Sequence, residues 1–474
     1  MNFPRSFVQS SGLALAVALL GGCTSQPAAS TPAPASTPSS MTSATAALSA
    51  PGDVAPGRLF SRQVRADMRQ AIAPGLVSVS NPVSPRLPLE APLAPETWRS
   101  KSTTLHVAPG SAPTEIVLPV DVPEDAWVFF IPKGSDAKVG EEVRKDVALY
   151  TPRGQRVDPW AERAANLQLG MDPAQMREKV ARPISMLSLN REMGAGAYKV
   201  LVGARAAQVG LAIEIRLPAS PVELALTSSA MQFFPGEDSD VTVGLTHPGT
   251  LDTVRFEASL YNPRFERDRV VPVEQVGGEW RARVSRVLTE QDESGVWVLE
   301  VRAVGTADGK PFDRLAQTAV GFVIPTARIT AAGGARAVRD GSGKVSAFEV
   351  DVTVESQARD RYEVTGTLVA MDRRGLERVE RPVAEAQVTD QLGEGSHTLT
   401  LRFDAGHVGL SGLDGTYTLR GLRLYSLGNN ALYHRLGKGL EVRMPAVSPS
   451  EFATPELTPA LEQMMQAGDF ALAR

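Results

Sequence analysis

The chain is poor in the residues that most protein chemistry uses. Its 474 residues include one cysteine and five histidines. A single cysteine rules out any disulfide within the chain, so stability must come from burial and hydrogen bonding. His106, His247, His397, His407 and His434 show neither the H-x-H nor the H-E-x-x-H spacing that sets two imidazoles on one metal. A shared site would need His397 and His407, which fall on neighbouring strands or on a strand and a loop; scattered, independent histidines are the simpler reading. No G-x-S-x-G elbow is present. Asp340-Gly-Ser-Gly-Lys344 is too short for a phosphate-cradling loop and reads as a hairpin turn. No catalytic and no metal constellation emerges. Aromatics make up only 6% of the chain. Positive charge is not in excess: the net charge is −4 and the pI about 5.9, which argues against nucleic acid as a partner. After the first twenty residues no long apolar run recurs, so no transmembrane helix is expected.

What is present begins at the N-terminus. Arg5 precedes an apolar stretch from Gly12 to Leu20, and Leu20-Gly21-Gly22 leads into Cys23, the only thiol. Charge, apolar core and small residues make a secretory signal. A cysteine directly after the cut resembles a bacterial lipobox. That resemblance implies cleavage between Gly22 and Cys23, a diacylglyceryl group on the Cys23 sulfur, and attachment to a membrane. Thr24, where some lipoproteins of the enterobacterial kind carry Asp, goes with sorting to the outer membrane, facing the periplasm or the cell surface. Residues 1–22 are thus read as signal peptide. Residues 23–57, a Ser/Thr/Pro/Ala run, are read as a disordered tether with too little apolar surface to offset chain entropy. As a coil it spans about 30 Å, and it reaches about 100 Å when extended.

Residues 58–100 read as an adaptor. Leu59, Phe60, Val64, Met68 and Ile72 recur at near-helical spacing, so a helix is expected over Arg58–Ile72 and ends before Pro74. A proline-rich stretch follows from Asn81 to Pro95. Past Lys101 the pattern is strands: short runs rich in β-branched and aromatic residues, with turns every 8–12 residues, to about Met444. One signature recurs three times, at Gly194-Ala-Gly196-Ala-Tyr198, at Asp292-Glu-Ser-Gly295-Val-Trp297 and at Asp414-Gly415-Thr-Tyr417. Each is a glycine turn leading into a strand headed by an aromatic, the corner seen in immunoglobulin-like sandwiches. The fold class expected is all-β: tandem β-sandwiches over 101–218, 219–325 and 326–444. Arg255–Tyr261 parallels Tyr362–Ala370, and Gly278–Val284 parallels His397–Phe403. Residues 159–182 favour helix and read as an insertion on the first sandwich. Residues 445–474 read as a C-terminal helical tail, started by Thr458-Pro459 and docked through Leu461, Met464, Met465 and Phe470.

Two acidic runs, Glu237-Asp238-Ser239-Asp240 and Glu290-Gln291-Asp292-Glu293, offer oxygen ligands of the kind calcium takes. Solvated loops are the plainer reading, and no cofactor is expected. Of Trp98, Trp127, Trp160, Trp280 and Trp297, three sit in strand patterns where core is the default, namely Trp127, Trp280 and Trp297. Trp160, in the helical insertion, is the candidate binding residue.

Asp146-Val-Ala-Leu-Tyr150-Thr-Pro-Arg-Gly154 followed by Gly196-Ala-Tyr198 resembles bacterial pre-peptidase C-terminal domains, which implies a jelly-roll-like first unit. The last unit has a Leu-Val-Ala370 strand, an Asp-Gly-Thr-Tyr417 corner and a Leu-Arg-Leu-Tyr425 strand. With the order of units, this resembles an uncharacterised family of exported bacterial proteins, domain of unknown function 4785, over roughly Lys101 to Met444. The resemblance implies one jelly-roll-like and two immunoglobulin-like units, and it supplies no catalytic residues. The function expected is a membrane-anchored, non-catalytic binding, adhesion or scaffold module with a protein or glycan partner. The alternative is an enzyme or enzyme accessory acting on carbohydrate or protein at an interdomain cleft.

Overall fold

A computed structural model describes residues 42–43, 53–61, 75–86, 89, 96–133, 145–157, 185–230, 232–237, 240–372, 378–413, 416–437, 442–455 and 459–466. Their regular elements are nearly all strands, arranged as paired sheets around three hydrophobic cores. Each core is built by alternation. Along Gly295–Ala307, Trp297, Leu299, Val301 and Ala303 are buried while their neighbours are not. That period-two pattern is what one buried sheet face requires.

In the first unit one sheet runs Ser102–Val107, Leu211–Arg216, Trp127–Pro132, Ser185–Ser188 in spatial order. The other runs Thr114–Val120, Gly196–Val202, Val147–Tyr150, Arg156–Val157. The first, eighth, third and sixth strands of the unit thus share one sheet, and the second, seventh, fourth and fifth share the other. This alternation is that of a jelly roll.

The second unit has one sheet ordered Val273–Val276, Glu279–Ala282, Val241–Thr246, Glu223–Ser228. The facing sheet is ordered Gln232–Phe233, Lys310–Phe322, Gly295–Ala307, Leu251–Tyr261, Arg267–Val271. These adjacencies are the same as in immunoglobulin sandwiches. The third unit repeats them with longer strands. Ala327–Arg339, Val345–Ser356 and Gly395–Asp404 form one sheet, and Val379–Leu392, Asp360–Asp372, Tyr417–Ser426 and Ala431–Leu436 form the other, with Val442–Arg443 also paired to Tyr417–Ser426. The two parallels read in the sequence fall on equivalent strands of these two units.

All three corners close in the same way. The Tyr198 hydroxyl donates to the Gly194 carbonyl at 2.7 Å, the Trp297 indole to Glu293 at 2.9 Å, and the Tyr417 hydroxyl to Leu413 at 2.8 Å. Each aromatic reaches a carbonyl four residues upstream and satisfies it inside the core. The first unit is closer to the second than its sequence suggests. Thr151-Pro-Arg-Gly154 and Asn262-Pro-Arg-Phe265 form the same turn, with Gly154 and Phe265 in the left-handed region and donating to Thr151 and Asn262. The corner glycine packs on that turn. A Cβ at Gly196 (φ 140°) would lie 3.0 Å from Pro152, and one at Gly295 (φ 147°) 3.0 Å from Pro263, so only glycine fits both the backbone and the space.

The adaptor departs from its expected form. Of the helix expected over Arg58–Ile72, residues 58–61 are not helical and residues 62–72 lie outside the described residues. Instead, parts of the N-terminal segment add strands to sheets far along the chain. Thr42–Ser43 pairs with Ala331–Ala332, Val77–Pro82 with the edge of Val379–Leu392, and Thr97–Ser100 with Glu223–Ser228. Residues 159–182 lie outside the described residues. In the tail a helix spans Pro459–Gln466. Leu461 is buried as expected, but Met465 is exposed because it lies on the solvent side of the helix; Phe470 lies outside the described residues. No helix among the described residues is long and apolar enough to cross a membrane.

Candidate functional site

The sequence points to few sites, and the structure places most of them apart. Gly22, Cys23 and Trp160 lie outside the described residues. His397 stands near the start of the Gly395–Asp404 strand, where its Nε2 lies 3.0 Å from the Gly393 carbonyl. His407 lies beyond the other end of that strand, in the Ala405–Leu410 helix, with its Nδ1 3.3 Å from the Ser80 hydroxyl. Seven residues of strand at about 3.3 Å each separate His397 from Asp404 alone, so the two imidazoles share no site. Burial lowers the pKa of His407, partly opposed by Asp404.

The acidic runs are tied to arginines. Asp292 accepts from Arg269 at 2.5 Å, Glu290 lies 3.5 Å from Arg58, Glu293 lies 3.7 Å from Arg264, and Asp240 lies 3.9 Å from Arg283. Arg269 also lies over the Trp297 ring, 5.6 Å from its centroid, so this cluster braces the second corner. Glu237 has its pKa raised by burial; Asp238 and Ser239 lie outside the described residues. Among the described residues no three histidine, cysteine or acidic side chains come together to hold a metal ion.

The tryptophans divide as follows. Trp297 is buried as its strand pattern implies, and Trp98 and Trp127 are half-buried. Trp280 departs from the core default. It is 36% exposed and lies against Phe256 with ring centroids 5.2 Å apart, at the open side of its sandwich.

The junction of the first two units is one of the two interdomain junctions, and it is filled by side chains. Arg314, at 0% exposure, donates to the Asp121 carboxylate at 2.7 Å, to Ser220 Oγ at 2.5 Å, to the Val222 carbonyl at 3.1 Å and to the Asp313 carbonyl at 2.7 Å. Beside it the buried Asp313 carboxylate accepts from Thr103 of the first unit at 3.1 Å and from Arg302 Nε at 3.0 Å. These hydrogen bonds hold the Arg302 pKa above its usual value. A buried arginine and two buried carboxylates, with the half-buried Arg302 beside them, are held by hydrogen bonds across the junction. The second junction is apolar: Phe234 and Val323 join the third unit's core, and Gln232 donates to the Leu432 carbonyl at 2.6 Å.

An open concavity of about 450 Å³ lies on the first unit, lined by Pro113, Thr114, Glu115, Lys145, Asp146 and Leu201 among others. Two of its charges, Glu115 and Asp146, have structural duties. Glu115 pairs with Lys199 at 3.0 Å, and Asp146 accepts from the Ala206 amide at 3.0 Å, capping a six-residue helix. Leu201 and the nearby Val117 are exposed on the same sheet. The result is an open, mixed apolar and charged face.

Residues 331–443 match the domain described as Domain of unknown function (DUF4785) C-terminal domain. The chain is also similar to a crystal structure of a DUF4785 family protein from Legionella pneumophila, with 15% identity and a TM-score of 0.59 over 82% of this chain and 98% of that one. At that identity the likeness speaks for the fold alone. Trypsin-activated alpha-2-macroglobulin from Escherichia coli matches over 76% of this chain and 24% of its own, with 10% identity and a TM-score of 0.20. The chicken interferon gamma receptor alpha chain matches over 44% and 92%, with 7% identity and a TM-score of 0.20. Neither bears on function. No curated protein matches the sequence. The matched residues 331–443 hold the corner at Tyr417 but none of the buried junction charges. Asp121, Ser220 and Arg314 have no sequence signal: a buried arginine in a strand reads as a solvated one, and its carboxylate partner is 193 positions away.

Proposed function

We propose that this protein is a lipid-anchored component of the bacterial cell envelope that acts by binding, as an adhesion or scaffold module, and not by catalysis. Signal cleavage after Gly22 exposes Cys23 for acylation, a tether follows, and the sandwiches stand off the membrane, with the outer membrane as the favoured destination. The observation that carries the non-catalytic reading is the packed junction around Arg314, Asp121 and Asp313. An enzyme working between the first two units would need an open cleft there, and the space is taken by side chains that bond each other. The alternative of a carbohydrate- or protein-directed enzyme also needs converging carboxylates or histidines. The acidic runs singled out in the sequence lie against arginines, and His397 and His407 are separated along a strand. A protein or glycan partner would meet the mixed face of the first unit or the insertion that contains Trp160.

The anchor is tested by growing the native host with labelled palmitate. The expected result is label in the wild-type protein and none in Cys23→Ala, with the variant released from the membrane fraction. Label persisting in Cys23→Ala refutes Cys23 as the acylated residue.

A further inference from the structure

The N-terminal segment precedes the first unit in sequence, yet most of its described parts bind the third. Thr42 pairs with Ala332 and Ser43 with Ala331. Val54 exchanges backbone hydrogen bonds with Arg435 at 2.9 and 2.7 Å, and Asp53 accepts from the Gly437 amide at 2.7 Å. The Phe60 amide donates to Pro325, at the junction with the second unit. Val77–Pro82 forms the edge strand beside Val379–Leu392, where Ser80 Oγ also accepts from the Asp404 amide at 2.9 Å. Only then does Thr97–Ser100 pair with the second unit, just before the first unit begins.

The direction of the first pairing decides where the chain comes from. Thr42–Ser43 runs antiparallel to Ala327–Arg339, so its upstream end points toward Arg339. Ala327 lies next to the junction with the second unit, and the strand runs away from it to the Asp340–Lys344 turn. The remaining eight residues from Ala332 to Asp340 cover about 26 Å at 3.3 Å per residue. In the second unit Phe322 is at the junction, and Lys310 stands about 40 Å back along its strand.

We infer that the N-terminal segment is a strap that brings the tether to the far end of the third unit. That end then faces the lipid surface, and the second and first units project from it. The membrane part of this statement rests on the Cys23 anchor; the strap geometry does not.

Two measurements on the full chain separate the two. In a Cys23→Ala background, spin labels are placed at Ser40→Cys with either Gly341→Cys or Lys310→Cys. Gly341 is exposed with open space around its Cβ, and Lys310 is exposed. Pulsed dipolar spectroscopy is expected to give a clearly shorter distance from position 40 to 341 than to 310. Equal distances, or a shorter one to 310, overturn the strap. In the acylated chain on vesicles with an acceptor-labelled headgroup lipid, a donor at 341 is expected to transfer energy and one at 310 is not. Equal transfer from both positions overturns the orientation. A chain that never takes up label or vesicles removes the anchor while the first measurement still decides the strap.

Discussion

The joint between the first two units gives the sharpest test of the packed junction on which the proposed non-catalytic reading rests. Arg314 makes four hydrogen bonds, and both it and Asp121 are almost wholly shielded, at 0% and 3% exposure. Arg314→Ala leaves the Asp121 carboxylate without its cation, and removes the donor from two carbonyls and Ser220. Each hydrogen bond to a charged group contributes about 1.5–3 kcal/mol. Breaking a buried pair by removing one partner costs about 3–5 kcal/mol. The loss expected for Arg314→Ala is therefore on the order of 4 kcal/mol. Replacing both partners by leucine removes charge and counter-charge together, so Arg314→Leu with Asp121→Leu is expected to recover much of it, with a coupling of about 2 kcal/mol. Three sandwiches need not unfold in one transition, so the measurement is native-state hydrogen exchange, read at the amides of Leu211–Arg216 and Lys310–Phe322. A loss below about 1 kcal/mol for Arg314→Ala, or strictly additive single substitutions, would refute the joint as the element that holds these units together.

Two further predictions concern the cores. Tyr198→Phe and Tyr417→Phe each remove one hydrogen bond and leave a carbonyl unsatisfied, at a cost of about 1–2 kcal/mol in thermal or urea unfolding, and unchanged stability in both would remove the corner's structural role. His434 is buried with its Nδ1 accepting from the Ile329 amide at 3.0 Å. Burial pushes its pKa from 6.5 down to about 4, with Arg328 acting the same way and Asp53 opposing. The folded state therefore binds its proton less readily than the unfolded chain. Its contribution to stability is complete above pH 6.5 and is lost as pH falls toward 4, by on the order of 3 kcal/mol at about 1.36 kcal/mol per pH unit. Urea unfolding at pH 7 and pH 4.5 should show that loss in the wild type and a shallower one in His434→Gln; parallel losses would discard His434 as the source.

What can be read from the chain and what cannot follows the range of the interactions. The corners are legible because the aromatic and the carbonyl it bonds are four residues apart, so one short motif contains both partners. The alternation of Gly295–Ala307 or Val345–Ser356 is legible for the same reason: each strand carries its own record of which face is buried. The strap carries no such record. Val77–Pro82 is Val-Ser-Val-Ser-Asn-Pro and stays largely exposed, so nothing in its pattern names a partner some 300 positions later. The reason for its pairing lies in the edge it covers. In the second unit the corresponding edge strand, Arg267–Val271, has five residues, three of them charged, and is blunted by itself. In the third unit Val379–Leu392 has fourteen, and most of its inner half is buried. A strand of that length left open is a template for pairing with another chain. Strand addition from the protein's own N-terminus occupies it, and in doing so ties the tether to the third unit. The edge-closing strand ties the segment to the third unit, and the direction of the Thr42–Ser43 pairing is what would set which end a Cys23 anchor holds toward the membrane.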